Sequence, residues 1–395
     1  MSQLALYGGK PVRERPFPQW PVATEREVDL LKEVLAGQQW GGYSEAVKQF
    51  EQVFAQVHDC EFGVAAANGS VAIEMALKAA GIGEGDEVIV PAHSFIATAS
   101  AVNRVGATPV FVDIGRDTYN LNPELLQPAV SERTAAVIAV HFSGIMLDMD
   151  RFSETAAGLK LTVIEDAAHA HGAEWHGRRA GSFGICGTFS FQNSKSMTAG
   201  EGGMLITNDK DVAAAAAAFA NCGRRAGHGW FEHFDLAPNY RLSGFQAAVL
   251  MAQLERLPAQ IRTRQANRDA LIGQVSAPGI SFQTGPGGVS VRTNYLLLGR
   301  IDKKSFGMTR DDFVRAMEAE GIPCRAYYPH PLYKNPMYQS AACRVMPCPV
   351  AEQACLDSFW IPQNALMGDE EDTRDIARAI AKIWEAVQPV PGKVN

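Results

Sequence analysis

No run of the chain approaches the roughly 18–20 uninterrupted apolar residues of a helical membrane span, so none is expected. The opening Met1–Lys10 lacks a basic segment followed by an apolar run, and no secretory leader is expected there. The seven cysteines (60, 186, 222, 324, 343, 348 and 355) are odd in number and scattered. That usage fits reduced thiols in a cytoplasmic protein and argues against a disulfide framework. Cys343 and Cys348 lie five apart, but no second Cys/His pair follows at zinc spacing, so no metal is expected. Charge of one sign is scarce: 36 Lys and Arg face 43 Asp and Glu, a net charge of −7. Such a balance gives no general pull on nucleic acid or an anionic membrane; the Arg224-Arg225 pair reads as solvated surface. Internal repeats are absent, and the alanine run at 213–218 reads as helix.

What remains is a globular composition. Of 395 residues, 47% are hydrophobic and 20% charged, enough chain for two or three domains. Residues 1–25 are rich in Pro, Arg and Trp and read as an extended arm. Thr24 with Glu27 forms a capping box that predicts a helix start, and a second helix is predicted over 44–57. From about 62 to 208, short β-branched runs (EVIVP 87–91, PVFVDI 109–114, AAVIAVHF 135–142, LTVIED 161–166, GTFSF 187–191, GMLIT 203–207) alternate with helical segments. The segments are 70–80, 95–105, 123–130, 148–158 and 211–220. This alternation predicts βαβ units and a mostly parallel sheet covered on both faces, with ligands beyond the carboxyl ends of its strands.

A long helical region over 243–274 is expected to bend or break at Pro258, and 279–288 reads as loop. A strand (294–301), a helix (309–321), a strand (322–328) and a closing helix (369–387) then predict a smaller α/β domain. The domains are taken as 1–255, with its arm at 1–25, and 256–395.

Three features fall at strand ends. Asp166 closes an apolar strand in Glu165-Asp166-Ala167-Ala168-His169. Lys195 follows another in Ser190-Phe191-Gln192-Asn193-Ser194-Lys195. Asn68-Gly69-Ser70 is a glycine turn opening a helix. Singly, these read as a helix cap, a solvated lysine and an ordinary turn, and Phe95 reads as core. Together they meet the needs of pyridoxal 5′-phosphate: a lysine amine for a Schiff base, a buried carboxylate against the pyridine nitrogen, a helix N-terminus for the phosphate and an aromatic face for the ring.

Across Trp40 to Leu366 the chain resembles the DegT/DnrJ/EryC1/StrS sugar aminotransferases, within the fold type I pyridoxal-phosphate enzymes. The motifs carrying the resemblance are GIGEGDEVIVP (81–91), the stretch from Phe95 to Asp113, GIMLDMD (144–150), EDAAHAHGA (165–173), TFSFQNSKSMTAGEGG (188–203) and NYRLSGFQAA (239–248). The resemblance implies an α/β fold: a large domain with a mostly parallel, mixed seven-stranded sheet between helices, plus the small C-terminal domain. It implies Lys195 as the Schiff-base lysine and Asp166 as the carboxylate at the pyridine nitrogen. His169 lies beside the ring, and Gly69, Ser70 and Ser190 hold the phosphate with Gln192 close by. Phe95 stacks on the ring. A homodimer completes the site, its second copy bringing Asn239 to the phosphate and Arg241 to the substrate. Tyr327, Tyr328, His330 and Tyr333 supply hydroxyl and ring partners for substrate.

The implied reaction moves an amino group from L-glutamine or L-glutamate to a keto sugar or keto cyclitol, in ping-pong order. The SFQNSK and EDAAHAHGA forms resemble cyclitol aminotransferases and 3-amino-5-hydroxybenzoate synthases. Alternatives are therefore aromatising dehydration, sugar dehydration without net amino transfer, and a non-catalytic homologue. Dehydrating relatives carry histidine where this chain has Lys195, which argues against the second.

His169-Ala170-His171 places two imidazoles at a spacing some metals use, but no third ligand is in register. Gly200-Glu201-Gly202-Gly203 lacks the Lys-Ser/Thr that a nucleoside triphosphate loop needs.

Overall fold

A computed structural model describes residues 3–326 and 328–388. Six strands form at the six β-branched runs, and Phe62–Ala66, which no run announced, precedes them: β1 Phe62–Ala66, β2 Glu87–Pro91, β3 Thr108–Val112, β4 Thr134–Val140, β5 Thr162–Asp166, β6 Cys186–Ser190 and β7 Gly203–Thr207. Further along come β8 Ile280–Phe282, β9 Leu296–Ile301, β10 Arg325–Ala326, β11 Arg344–Val345 and β12 Ser358–Pro362. The large sheet runs in the order β1-β7-β6-β5-β4-β2-β3-β11. Strand β7 is antiparallel to both its neighbours, and the other pairs are parallel. Two antiparallel steps restore the chain direction. The carboxyl end of β1 therefore lies on the same sheet edge as those of β2, β4, β5 and β6.

The expected seven strands are thus joined by an eighth, the two-residue edge strand β11, which is too short to leave an alternation signal. The second sheet, β8-β9-β12-β10, is wholly antiparallel. Only Arg325 and Ala326 pair within the stretch expected as a strand over 322–328. Pro323 has no amide hydrogen to give a ladder there.

Successive side chains of a strand point to opposite faces, and the large sheet is apolar on both. Ile89 and Val137 join Phe50, Phe54, Phe189 and Phe191 in one buried layer. Val88, Val90 and Ile138 join Ile73, Leu77 and Phe111 in the other. A third core around Leu297, Phe313, Phe359, Ile376 and Ile380 belongs to the C-terminal part. Of the bend or break expected at Pro258, the break is absent: the helix Gly244–Gln274 is continuous through it. Leu250, Leu254, Leu257 and Ile261 anchor it to the first layer on both sides of the proline, and that burial outweighs the roughly 3 kcal/mol cost of an interior proline. Its far end reaches the third core through Leu271. All seven cysteines are unbonded. Among the described residues, no helix is long and apolar enough to cross a membrane.

Candidate active site

The carboxyl edge of the large sheet opens into a cavity of about 860 Å³. Asp166 is the last residue of β5, in register with Val140 of β4 and Thr188 of β6. Its carboxylate accepts from the Thr98 hydroxyl (2.8 Å) and the Ala168 amide (3.2 Å). Burial pushes its pKa up, while these two donors and the Lys195 charge pull the other way. No cation among the described residues lies within salt-bridge distance of it. A buried carboxylate with only neutral partners is costly to keep ionised, and it faces a cavity that a cationic group can enter.

Lys195 follows β6 by five residues and lines the same cavity. Burial lowers its pKa to about 8, against the pull of Asp166. Its Nζ lies 4.5 Å from the ring centroid of Tyr295. Tyr295 in turn stacks on His169, with centroids 4.4 Å apart, and its hydroxyl shares a 2.8 Å hydrogen bond with Ser194 Oγ. The Ser143 amide donates to His169 Nδ1 (3.2 Å), which leaves Nε2 as the protonated nitrogen. Burial keeps this imidazole neutral by holding its pKa well below the usual range.

The helix Gly69–Ala79 begins at the cavity wall. Its cap, the Asn68 side chain, accepts from the Val71 amide. The amides of Gly69 and Ser70 stay outside the helical ladder, as first-turn amides do. A Cβ on Gly69 would sit 2.6 Å from Ser190 Cβ, so only glycine allows β6 and this helix start to approach so closely. Amides, the Ser70 and Ser190 hydroxyls and a helix N-terminus make an anion cradle. Phe95 lines the cavity and is 50% exposed. It precedes the helix Ala97–Arg104, correcting the expected helix start at 95. Among the described residues no cluster of three or more His, Cys, Asp or Glu is placed to hold a metal. The residues fit pyridoxal 5′-phosphate: an amine, an unpaired buried carboxylate, an anion cradle and an open aromatic face line one cavity.

The structure therefore brings Gly69, Ser70, Phe95, Asp166, His169, Ser190, Gln192, Lys195 and Tyr328 together. The others lie elsewhere in the single chain. Asn239 is exposed, and its side chain accepts from the Arg241 amide. Arg241 donates to Asn221 Oδ1 (2.7 Å) and lies over the Tyr43 ring. His330 is half-buried outside the cavity lining. Tyr333 packs against Phe111 and donates to Glu352 (2.9 Å), away from the cavity. Tyr327 lies outside the described residues. Thr98, Tyr295 and Trp360 also line or support the site and were not foreseen. Thr98 had a signal, standing one turn beyond Phe95; Tyr295 and Trp360 arrive from the second sheet and had none.

The chain is similar to known proteins in sequence and in fold. The model of the DegT/DnrJ/EryC1/StrS aminotransferase family matches residues 21–381. The chain is 36% identical to the L-glutamine:2-deoxy-scyllo-inosose aminotransferase of Micromonospora echinospora, over 97% of this chain and 98% of that protein. It is 35% identical to the 3-amino-5-hydroxybenzoate synthase of Amycolatopsis mediterranei, over 92% and 96%. Among solved structures it is similar to a 3-amino-5-hydroxybenzoic acid synthase (TM-score 0.89, 33% identity, 95% of this chain and 100% of that one). It is also similar to DesI in the presence of its TDP-sugar product (TM-score 0.86, 29% identity, 97% and 96%).

Proposed function

The chain belongs to the DegT/DnrJ/EryC1/StrS aminotransferase family, and on that footing we propose that it transfers the amino group of L-glutamine to a keto cyclitol. It is a pyridoxal-phosphate-dependent aminotransferase with a type I fold. The observation that carries the reading is the pair Asp166 and Lys195, facing one cavity from the ends of adjacent strands with no salt bridge between them.

Bound pyridoxal phosphate supplies an electron sink for the charge left when a substrate carbon gives up its proton. The protein's residues do the rest. Lys195 would hold the cofactor through its amine and, once freed, would carry the proton from the donor carbon and back. Asp166, fixed by Thr98, would supply the charge that keeps the ring nitrogen protonated. His169 would offer its Nε2 hydrogen to the ring hydroxyl. Gly69, Ser70, Ser190 and Gln192 would hold the phosphate, and Phe95 the ring. The donor leaves as its 2-oxo acid and the acceptor ketone leaves as the amine, so the two substrates use one site in turn. Tyr328 lines the acceptor's path, and Tyr333 supports the following segment through Glu352; Tyr327 and His330 are candidates for the acceptor by family resemblance alone.

The working unit in this reading is a cytoplasmic homodimer, with Asn239 and Arg241 of each copy serving the other's cavity. Exposed Trp230 (56%), Phe231 (87%) and Leu236 (103%) support it, since apolar side chains so open on one loop mark an interface. The same reading divides the chain at 255/256, with the helix Gly244–Gln274 as the connector.

A second reading, aromatising dehydration, is favoured by the likeness to the hydroxybenzoic acid synthase structure. One experiment separates the two. The purified holoenzyme is given L-glutamine and either a scyllo-inosose-type ketone or a non-aromatic hydroxylated ring that becomes aromatic on losing water. Loss of glutamine and appearance of an amino cyclitol are expected with the first. Turnover of the second substrate alone would refute the transfer reading.

A further inference from the structure

Among the described residues, Arg264 is one of the largest wholly buried side chains. Among the described residues no carboxylate pairs with it, and burial alone acts on its pKa, lowering it to about 9. A guanidinium taken from water without a counter-charge is expensive, so its contacts are informative. Nε donates to the Thr293 carbonyl (2.8 Å). Nη1 donates to Gln363 Oε1 (3.1 Å) and lies 3.7 Å from the Met367 sulfur. Nη2 is buried with no partner.

Both acceptors lead to the cavity. Gln363 is itself buried, and its Nε2 donates to the carbonyl of Ser194 (2.9 Å), the residue before Lys195. With its oxygen committed to Arg264, the Gln363 amide has only one orientation in which its N–H faces Ser194. Thr293 is buried too, and its hydroxyl donates to the His169 carbonyl (2.7 Å). Two residues further on, Tyr295 lies under Lys195 and against His169.

We propose that Arg264 is a positioning residue: through Gln363 it fixes the Ser194–Lys195 backbone, and through Thr293 it fixes His169 and Tyr295, so that the lysine amine returns to one place after each half-reaction. The inference rests on the role given to Lys195 above. A charge with no counter-ion suits the task, because its hydrogen bonds are stronger than neutral ones and no carboxylate competes for them.

The test uses Gln363→Glu, Gln363→Leu, Arg264→Met and the double variant Arg264→Met/Gln363→Leu. Three quantities are read: melting temperature without cofactor, the pH midpoint of the visible band of the lysine-bound cofactor, and the KM-against-kcat split. Gln363→Glu gives Arg264 a counter-charge but loses the N–H that held Ser194. Its melting temperature is expected to equal or exceed that of the parent, while the band's midpoint moves by about half a pH unit or more and kcat falls about tenfold. Arg264→Met and Gln363→Leu are expected to shift the midpoint alike, and the double variant no further than either. If Arg264→Met does not fold, Gln363→Glu decides alone. Unchanged midpoint and kcat in the Gln363 variants, or effects that follow melting temperature alone, would overturn the inference. A parent protein with no visible band would instead refute the role of Lys195 itself, so the two failures are distinguishable.

Discussion

The Lys195 Nζ rests 4.5 Å from the centre of the Tyr295 ring, with no direct salt bridge to the Asp166 carboxylate that shares its cavity. The ring face offers the ammonium a weak attraction, about 0.5–2 kcal/mol. Burial outweighs the pull of the Asp166 charge and leaves an amine whose pKa falls to about 8, close to the range a proton carrier needs.

That value sets a pH dependence. Above about 8 the amine is free to attack; below it the charged form dominates and cannot. Capture of pyridoxal phosphate by the cofactor-free protein should speed up as pH rises from 6 to about 8 and then level off,. Stopped-flow absorbance measures it, and a rate independent of pH would contradict the assignment.

Lys195→Ala is expected to abolish amino transfer and to remove the visible band of the covalently held cofactor. A variant that still turned over at more than about 1% of the parent rate would show that another group moves the proton.

Asp166→Ala is expected to keep the covalent band yet lose roughly 10²–10⁴-fold in kcat, because the ring nitrogen loses the charge that holds its proton. Normal turnover would refute the electron-sink role.

Gly69→Ala puts a methyl 2.6 Å from Ser190 Cβ. The helix start must move away from β6, which opens the anion cradle. Cofactor affinity is expected to fall at least about tenfold, with little change in the melting temperature of the cofactor-free protein; equilibrium dialysis checks this.

Far from the cavity, Glu27 is buried, and burial raises its pKa. Hydrogen bonds from Arg256 and Thr24 outweigh that and bring it down to about 2. A carboxylate whose pKa is lower folded than unfolded stabilises above its unfolded value. That stabilisation fades as pH drops from about 4 toward 2,. Glu27→Gln is expected to cost on the order of 3 kcal/mol at pH 7 and little at pH 2, as denaturant titrations at the two pH values would show.

Much of this architecture was legible because its signals are local. Thr24 with Glu27 and Ser243 with Gln246 form real capping boxes, and Asp148 caps the helix Met149–Gly158. Asp166 and Lys195 were legible because strand ends on one sheet edge must face the same space. The unforeseen parts come from tertiary meetings. The strand Ser358–Pro362 follows directly on the helix Pro349–Asp357, with no loop between them to mark its start. Arg264 sits in a long helix of modest amphipathicity, where nothing marks it as buried. Tyr295 owes its place to the second sheet folding over the first.

That last arrangement divides the cavity's labour by ancestry of its walls. The floor, with Asp166 and Lys195, belongs to β5 and the loop after β6, whereas Leu296 and Trp360 belong to β9 and β12. Substitutions at Leu296 and Trp360 change one wall of the cavity without replacing Asp166 or Lys195. Evolution, or a designer, can thus retarget such a scaffold to new ketones one wall at a time.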